Sequence, residues 1–261
     1  QAGRANVRNN VFGGNLAVPI NQTYSVTGNY SDGFMKFGSA QVGQVGSLLS
    51  TTFRSYGGGI LAKVSPQDSL MLNQTNSEFS YESSGGGSFT THGGTLGWMH
   101  TLTQNFTMTS TGGVQVLKGE FQSAATSTTL APTASFLLSW RDRTTALMAS
   151  YGLSVQPTFQ FQSQVLLVHT GSLTVTQVTP ISQLLAVASV SVGVGDQYGA
   201  SSRSPVSYST YGGAAGLVYK FSSRTFMGLN YNYSNSENKF GGTSFVFDRH
   251  VVQFNLTQAF Y

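Results

Sequence analysis

Polar and apolar residues alternate along most of the chain with a period of two. The clearest run is the last. From Val252 to Phe260 one parity reads Val252, Phe254, Leu256, Gln258 and Phe260, and the other reads Val251, Gln253, Asn255, Thr257 and Ala259. Such alternation marks a β-strand with one apolar and one polar face. The same reading fits Tyr24, Val26 and Tyr30 against Ser25, Thr27 and Asn29, and Leu147, Ala149 and Tyr151 against Ser150 and Gly152. It also fits Met227, Leu229, Tyr231 and Tyr233 against Gly228, Asn230 and Asn232. Extended over the chain, the pattern predicts thirteen strands, at about 5–18, 22–31, 47–64, 69–81, 88–102, 105–118, 133–141, 144–155, 161–178, 182–195, 207–221, 224–234 and 244–260.

Two kinds of connection separate these strands. Short polar or proline-bearing turns fall within 18–24, 64–70, 102–106, 140–144, 178–182 and 221–226, spaced at roughly 40 residues, about one long hairpin plus its loop. Longer segments, expected to be loops, lie at 31–46, 82–88, 119–132, 156–160, 196–206 and 235–243. The chain therefore reads as an array of hairpins in one domain, residues 1–261, without a linker. Two places depart from the pattern. Leu70, Met71 and Leu72 are apolar in both parities, which suggests a bulge. His169 falls among apolar residues, which suggests a register change between Val168 and Leu173 hinged at Gly171.

Composition decides what kind of β-protein this is. Charged residues make up 8% of the chain while hydrophobic residues make up 39% and aromatics 12%. A soluble sandwich has shorter strands and more Lys and Glu on its outer faces, and a disordered chain lacks such an aromatic content. No run of about 18 apolar residues could form a transmembrane helix. A barrel with an apolar outside and an uncharged polar inside accounts for both figures. The net charge of +4 is small and its basic residues are scattered, so nucleic-acid binding is not expected. The absence of cysteine removes disulfides and thiolate chemistry.

The closing stretch from Phe247 to Phe260 resembles the last strand of bacterial outer-membrane β-barrels, which ends on an aromatic residue with apolar residues at alternate positions before it. Phe260 fits that register with Leu256, Phe254 and Val252 behind it, although Gln258 interrupts the run and Tyr261 adds one residue. The stretch is also similar to barrels of exopolysaccharide gene clusters. The resemblance implies an all-β transmembrane antiparallel up-and-down barrel in the bacterial outer membrane, with short turns and the C-terminus periplasmic and the longer segments extracellular. Such barrels usually hold an even number of strands. Thirteen are visible, so about fourteen are expected in the intact barrel, with twelve as the alternative, and Gln1 would start outside. The expected partners are lipopolysaccharide and phospholipid, with an envelope protein or an oligomer as a further possibility.

Candidate chemistry is sparse. Barrel lipid hydrolases carry a His and a Ser two residues apart on one strand, and none of His92, His100, His169 or His250 has a Ser there. Omptin-type proteases carry an Asp-x-His pair, which Asp248-Arg249-His250 matches, together with a second acidic pair, which is missing. Asp248 and His250 share the parity of Val252 and Phe254, so the polar upper end of a strand is the simpler reading. No enzyme, metal site or cofactor is expected. The polar parity instead suggests a lumen lined by Asn29, Thr95, Thr109, Gln115, Ser150, Asn230, Asn232, Arg249, Gln253 and Asn255. Lys63, Arg141 and Lys220 share that parity near the short turns, a weak basic bias. The apolar parity suggests a membrane girdle of Tyr24, Tyr56, Trp98, Trp140, Tyr219, Tyr231, Phe254 and Phe260. These features imply a channel with a neutral polar lumen for small polar solutes or a polysaccharide. The alternative is a plugged barrel that anchors an envelope complex.

Overall fold

A computed structural model of the chain describes residues 7–37, 50–82, 87–121, 124–157, 165–181, 183–198, 206–222, 225–240 and 243–258. The sequence expectations at Gln1 and Phe260, and most of those at 82–88, 156–160 and 196–206, lie outside the described residues.

Each expected strand is present. They are β1 (Val7–Pro19), β2 (Tyr24–Phe37), β3 (Ser50–Lys63), β4 (Asp68–Glu82), β5 (Gly87–Thr103), β6 (Phe106–Phe121), β7 (Ala124–Arg141), β8 (Thr145–Pro157), β9 (Val165–Val178), β10 (Leu184–Gln197), β11 (Val206–Lys220), β12 (Thr225–Phe240) and β13 (Thr243–Gln258). They form one sheet in sequence order, each strand antiparallel to the next. Among the described residues β1 and β13 do not pair with each other, so each leaves one edge of the sheet free.

The short turns are where the pattern puts them, and their polar residues close them. The Asn21 side-chain oxygen accepts from the amides of Thr23 and Tyr24, both at 2.8 Å. The Ser65 hydroxyl accepts from the amide of Asp68 at 2.9 Å and donates to its carboxylate at 2.7 Å. In the turn before β10, Gln183 takes a positive φ of 76°, a conformation that favours residues able to tolerate a left-handed backbone.

At the opposite end of the sheet, here called the far end, two expected loops, 119–132 and 235–243, are largely strand, and so is the described part, 31–37, of a third. β2 continues to Phe37, β6 and β7 are separated only by 122–123, and β12 and β13 only by 241–242. β2 ends with Phe34, Met35 and Phe37 in both parities, while in β7 and β12 the apolar alternation stops well before these points. The ladder does not need it, because backbone hydrogen bonds and polar cross-strand pairs extend a hairpin beyond an apolar belt.

Both expected irregularities are absent. Leu70 and Leu72 keep the apolar face, opposite Trp98 and Leu96, while Met71 keeps the polar face opposite Gly97, without a shift. A Cβ at Gly97 would come within 2.9 Å of the Met71 methyl, so the glycine gives this large apolar side chain its space. β9 likewise pairs without interruption with β8 and β10, and no hinge occurs at Gly171. The shifts that do occur lie at Thr101/Thr103 and Gly119/Phe121, beside strand ends.

The two faces differ as expected of a curved sheet. Leu16, Ile60, Leu72, Leu96, Val190, Leu229, Phe254 and Leu256 form an exposed apolar belt on one face, with Phe254 at 63% and Leu256 at 65% exposure. A contiguous apolar surface of this extent is out of place in water and suits lipid.

Candidate functional site: the polar face and an arm that crosses it

The face opposite the belt is built from small polar residues. One row of directly paired positions crosses six strands, from Ser150 through Ser172, Ser191, Gly212 and Ser234 to Arg249. The Ser150 and Ser172 hydroxyls are 2.7 Å apart. Further hydroxyl pairs are Thr111–Ser135 at 2.7 Å, Ser55–Ser77 at 3.1 Å and Thr210–Ser236 at 3.1 Å. Glycines make room for longer amides, and a Cβ at Gly59 or Gly216 would collide with the side chain of Asn73 or Asn230.

All ten residues expected in the lumen lie on this face. Asn29 pairs with Gly57, Thr95 with Asn73, Thr109 with Met99 and Gln115 with Gly93. Ser150 pairs with Ser172, and Asn230, Asn232, Arg249 and Asn255 pair with Gln253, Val251, Ser234 and Gly228. Of the expected girdle, Tyr24, Trp98, Trp140 and Tyr219 sit on the belt face toward the short turns, and Tyr56 and Tyr231 sit toward the far end. Phe254 departs from that assignment. It pairs with Leu229, which pairs with Leu217, in mid-belt. Its ring is one more apolar member of the belt and has no polar tip to seek an interface.

The four histidines lie at the margins of the belt, each with a polar partner. Toward the far end, Tyr151 Oη is 2.8 Å from His169 Nδ1, Tyr231 Oη is 2.7 Å from His250 Nδ1, and Asn76 Oδ1 is 2.8 Å from His92 Nδ1. Toward the short turns, the Asp68 carboxylate accepts from Trp98 Nε1 at 2.9 Å and lies 2.7 Å from His100 Nδ1. Asp248 accepts from the Tyr233 hydroxyl at 3.0 Å and from the Asn235 amide at 2.8 Å. The Asp248-Arg249-His250 triplet is therefore divided between faces. Its acid and imidazole are engaged by neighbours on the belt side, and its guanidinium is on the polar side. Among the described residues no three His, Asp or Glu side chains gather in a way that could hold a metal.

The feature that sequence reasoning missed is an arm. β7 and β8 pair only from Arg141↔Ala146 to Ala134↔Leu153. Beyond this point β7 runs on to Ala124 without β8, while β8 and β9 continue together through Val155↔Leu167. Val155 and Leu167 have the parity of the belt, yet they pack against Phe89, Leu117 and Ala131, with Phe79 and Tyr198 alongside. Phe79, Phe89, Leu117 and Ala131 belong to the polar face of the wall formed by β4 to β7. Belt-side residues of one segment can meet polar-side residues of another only if the first passes inside the second. The far ends of β8 and β9, with β10 still paired to β9 as far as Leu166↔Gln197, thus part from β7 and lie across the inner surface of the β4–β7 wall. Their other side is covered as well, because Leu166 and Val168 pack with Tyr208 of β11. The Tyr198 hydroxyl fastens the arm by donating to the Leu130 carbonyl of β7 at 2.8 Å. Phe53, Phe79 and Phe89 extend the apolar patch along the wall, with ring centroids 6.4 and 6.0 Å apart. The six buried apolar side chains among the described residues all belong to this contact. A signal for it exists in the run Val165-Leu-Leu-Val168, apolar in both parities as a strand covered on both faces requires.

No family model matches the chain, and no curated protein matches it. Solved structures do. The FrpB iron transporter from Neisseria meningitidis (F3-3 variant) superposes with a TM-score of 0.61 at 10% identity, covering 87% of this chain and 43% of that one. The copper transporter OprC gives a TM-score of 0.55 at 12% identity, covering 91% of this chain and 48% of that one. The chain spans less than half the length of these structures. At such identity the likeness shows the fold, which is the antiparallel up-and-down sheet of outer-membrane β-barrels.

Proposed function

We propose that this chain forms a channel wall in the bacterial outer membrane and passes small polar solutes or a polysaccharide. The observation that carries this reading is the polar face, where hydroxyls, amides and glycines continue from strand to strand and ionised side chains are few. A surface of that kind exchanges hydrogen bonds with water or sugar hydroxyls without binding any of them tightly, as conduction requires. In this reading the belt contacts lipopolysaccharide and phospholipid, the short turns and C-terminus are periplasmic, and the far end is extracellular. The arm narrows the passage beneath its far-end mouth. Polysaccharide export is the narrower form of the proposal, supported by the similarity of the closing stretch to barrels of exopolysaccharide clusters.

The second reading is a plugged barrel that anchors an envelope complex, and the arm favours it specifically, since an apolar contact across the interior is what a plug would use. Conductance in planar bilayers separates the two. Stable open levels, with liposomes swelling in sugars of graded size, are the expected outcome. Silence from protein that is folded by its heat-modifiable mobility and circular dichroism would overturn the channel and leave the anchor.

A further inference from the structure

We infer that the channel selects for anions, so that the solute or polymer it takes carries carboxylate or phosphate groups. This rests on the channel reading and names its substrate class. The basis is how the charges divide between the two faces. Six acids with described side chains lie on strands, namely Asp32, Asp68, Glu78, Asp196, Glu237 and Asp248. All six have the parity of the belt, pairing with Arg54, His100, Arg54, Ser207, Val246 and Asn235 respectively. Asp196 differs from the other five: it pairs with Leu167 at the level of the arm, where belt parity turns toward the inner surface of the β4–β7 wall, so this one acid lies inside, toward the far end. The polar face carries the opposite sign alone. Its ionised side chains, among those described, are Lys63, Arg141, Lys220 and Arg249.

The positions of these four are as informative as their sign. Lys63, Arg141 and Lys220 are the last residues of β3, β7 and β11. They recur at every fourth strand, each four residues further along than direct pairing would put it, about 23 Å apart along a sheet with strands spaced at ~4.8 Å and residues at ~3.3 Å. They stand at one level, around the short-turn mouth. None of them makes an ion pair with a described residue. A recess of about 460 Å³ opens beside Arg141, lined also by Arg143, Thr174, Thr176 and one acid, the turn residue Asp142. Arg249 stands deeper, at the end of the serine row. Rings of Lys and Arg are how anion and phosphate pores set their selectivity, and low-dielectric walls around a passage of one sign concentrate the opposite counter-ion. Spaced guanidinium and ammonium groups with hydroxyls between them suit a chain of acidic sugars, whose carboxylates and hydroxyls also alternate.

Two measurements test this. In planar bilayers under a KCl gradient, the reversal potential is expected to give a chloride preference of roughly threefold or more at low salt. The Lys63→Gln/Arg141→Gln/Lys220→Gln/Arg249→Gln variant is expected to bring the ratio near unity, with Arg249→Lys retaining the preference. Independently of conduction, the detergent-solubilised protein is expected to bind polygalacturonate over neutral dextran, with binding lost in the fourfold variant and in ~1 M salt. Cation preference, or selectivity unchanged in a folded fourfold variant, overturns the inference while sparing the channel. A silent barrel that still binds polygalacturonate overturns the channel and keeps the interior as an anion site. A silent barrel that does not bind it overturns both.

Discussion

The β8–β9 and β12–β13 hairpins both run past the apolar belt with unbroken register, yet one parts from its neighbour β7 and passes inside it while the other stays in line with the wall. Their sequences explain the difference. Beyond the belt, β12 reads Asn-Ser-Glu-Asn-Lys from Asn235 to Lys239, polar on both faces. It is content in water, and Ser244 and Lys239 both engage the Glu237 carboxylate, at 2.7 and 3.3 Å. At the corresponding height β9 reads Val-Leu-Leu-Val from Val165 to Val168. Such a strand gains by burying both faces, and the inner surface of the β4–β7 wall offers Phe79, Phe89, Leu117 and Ala131. The backbone ladder is the same in both hairpins. Apolarity in both parities is not enough by itself, because β13 reads Phe-Val-Phe from Phe245 to Phe247 at this height and stays in the wall with Val246 and Phe247 exposed. What sets β9 apart is that an apolar seat on the β4–β7 wall faces it.

The most forceful way to break this contrast is a matched pair of valine truncations. Val155 in the arm is 9% exposed and Val246 in β13 is 58% exposed. Val155→Ala is expected to cost about 2 kcal/mol, from lost burial plus the space left behind, and Val246→Ala less than about 0.5 kcal/mol. Urea unfolding from phospholipid vesicles measures both, and equal costs would mean that the arm is not packed. A smaller effect is expected from the fastening of the arm. Tyr198→Phe removes only the hydroxyl that reaches Leu130 and should cost about 0.5–1 kcal/mol, seen as faster hydrogen exchange in β8 and β9 with β12 and β13 unchanged. If exchange rises equally in both hairpins, the contact does not hold the arm.

The smallest effect concerns β12–β13 alone. The Glu237 side chain lies beyond the belt, and the Ser244 hydroxyl and then Lys239 hold its carboxyl below the ordinary value of 4.5. Because the folded pKa is the lower one, the associated stability is present above about pH 4.5 and is lost as pH falls through the folded value. Glu237→Gln should therefore flatten a shallow acid-side decline in the protection of this hairpin, and a decline that persists in the variant would assign it elsewhere. The arm has no corresponding group among its described residues, so its protection is expected to be flat over the same range.

Most of the fold was legible because a period of two with few charges leaves little else to build. The parity of Asn29, Thr95, Gln115, Asn230 and Gln253 places each on the polar face, and the Asn21, Ser65 and Ser222 turns announce themselves by chemistry. The reading failed where apolarity was the only criterion. It began β7 too late and ended β12 too early, because polar extensions of a ladder carry no apolar stripe, and it ended β2 too early because Phe34, Met35 and Phe37 do not alternate. It read Leu70–Leu72 and the stretch around His169 as irregular, because a residue off its expected face looks like a shift when its accommodation is unseen. Gly97 beneath Met71 and the Tyr151 hydroxyl at His169 provide that accommodation. The basic bias of the interior looked weak in the sequence. Five of the six strand acids that offset it in a count lie on the belt side of the sheet, and the sixth, Asp196, lies beside the arm.

Tyr198 and Leu130 are 68 positions apart in the chain, whereas every pair in the ladder joins neighbours in a hairpin series. Ladder contacts can zip from one hairpin to the next, each closing a short loop at small entropic cost. The arm cannot join that zipper, since its seat exists only after β4 to β7 have curved into a wall and β8 to β11 have been added. Assembly therefore has a last step that the order of strands does not reveal, and a chain stalled before it would expose Phe79, Phe89, Leu117 and the Leu166–Val168 run together.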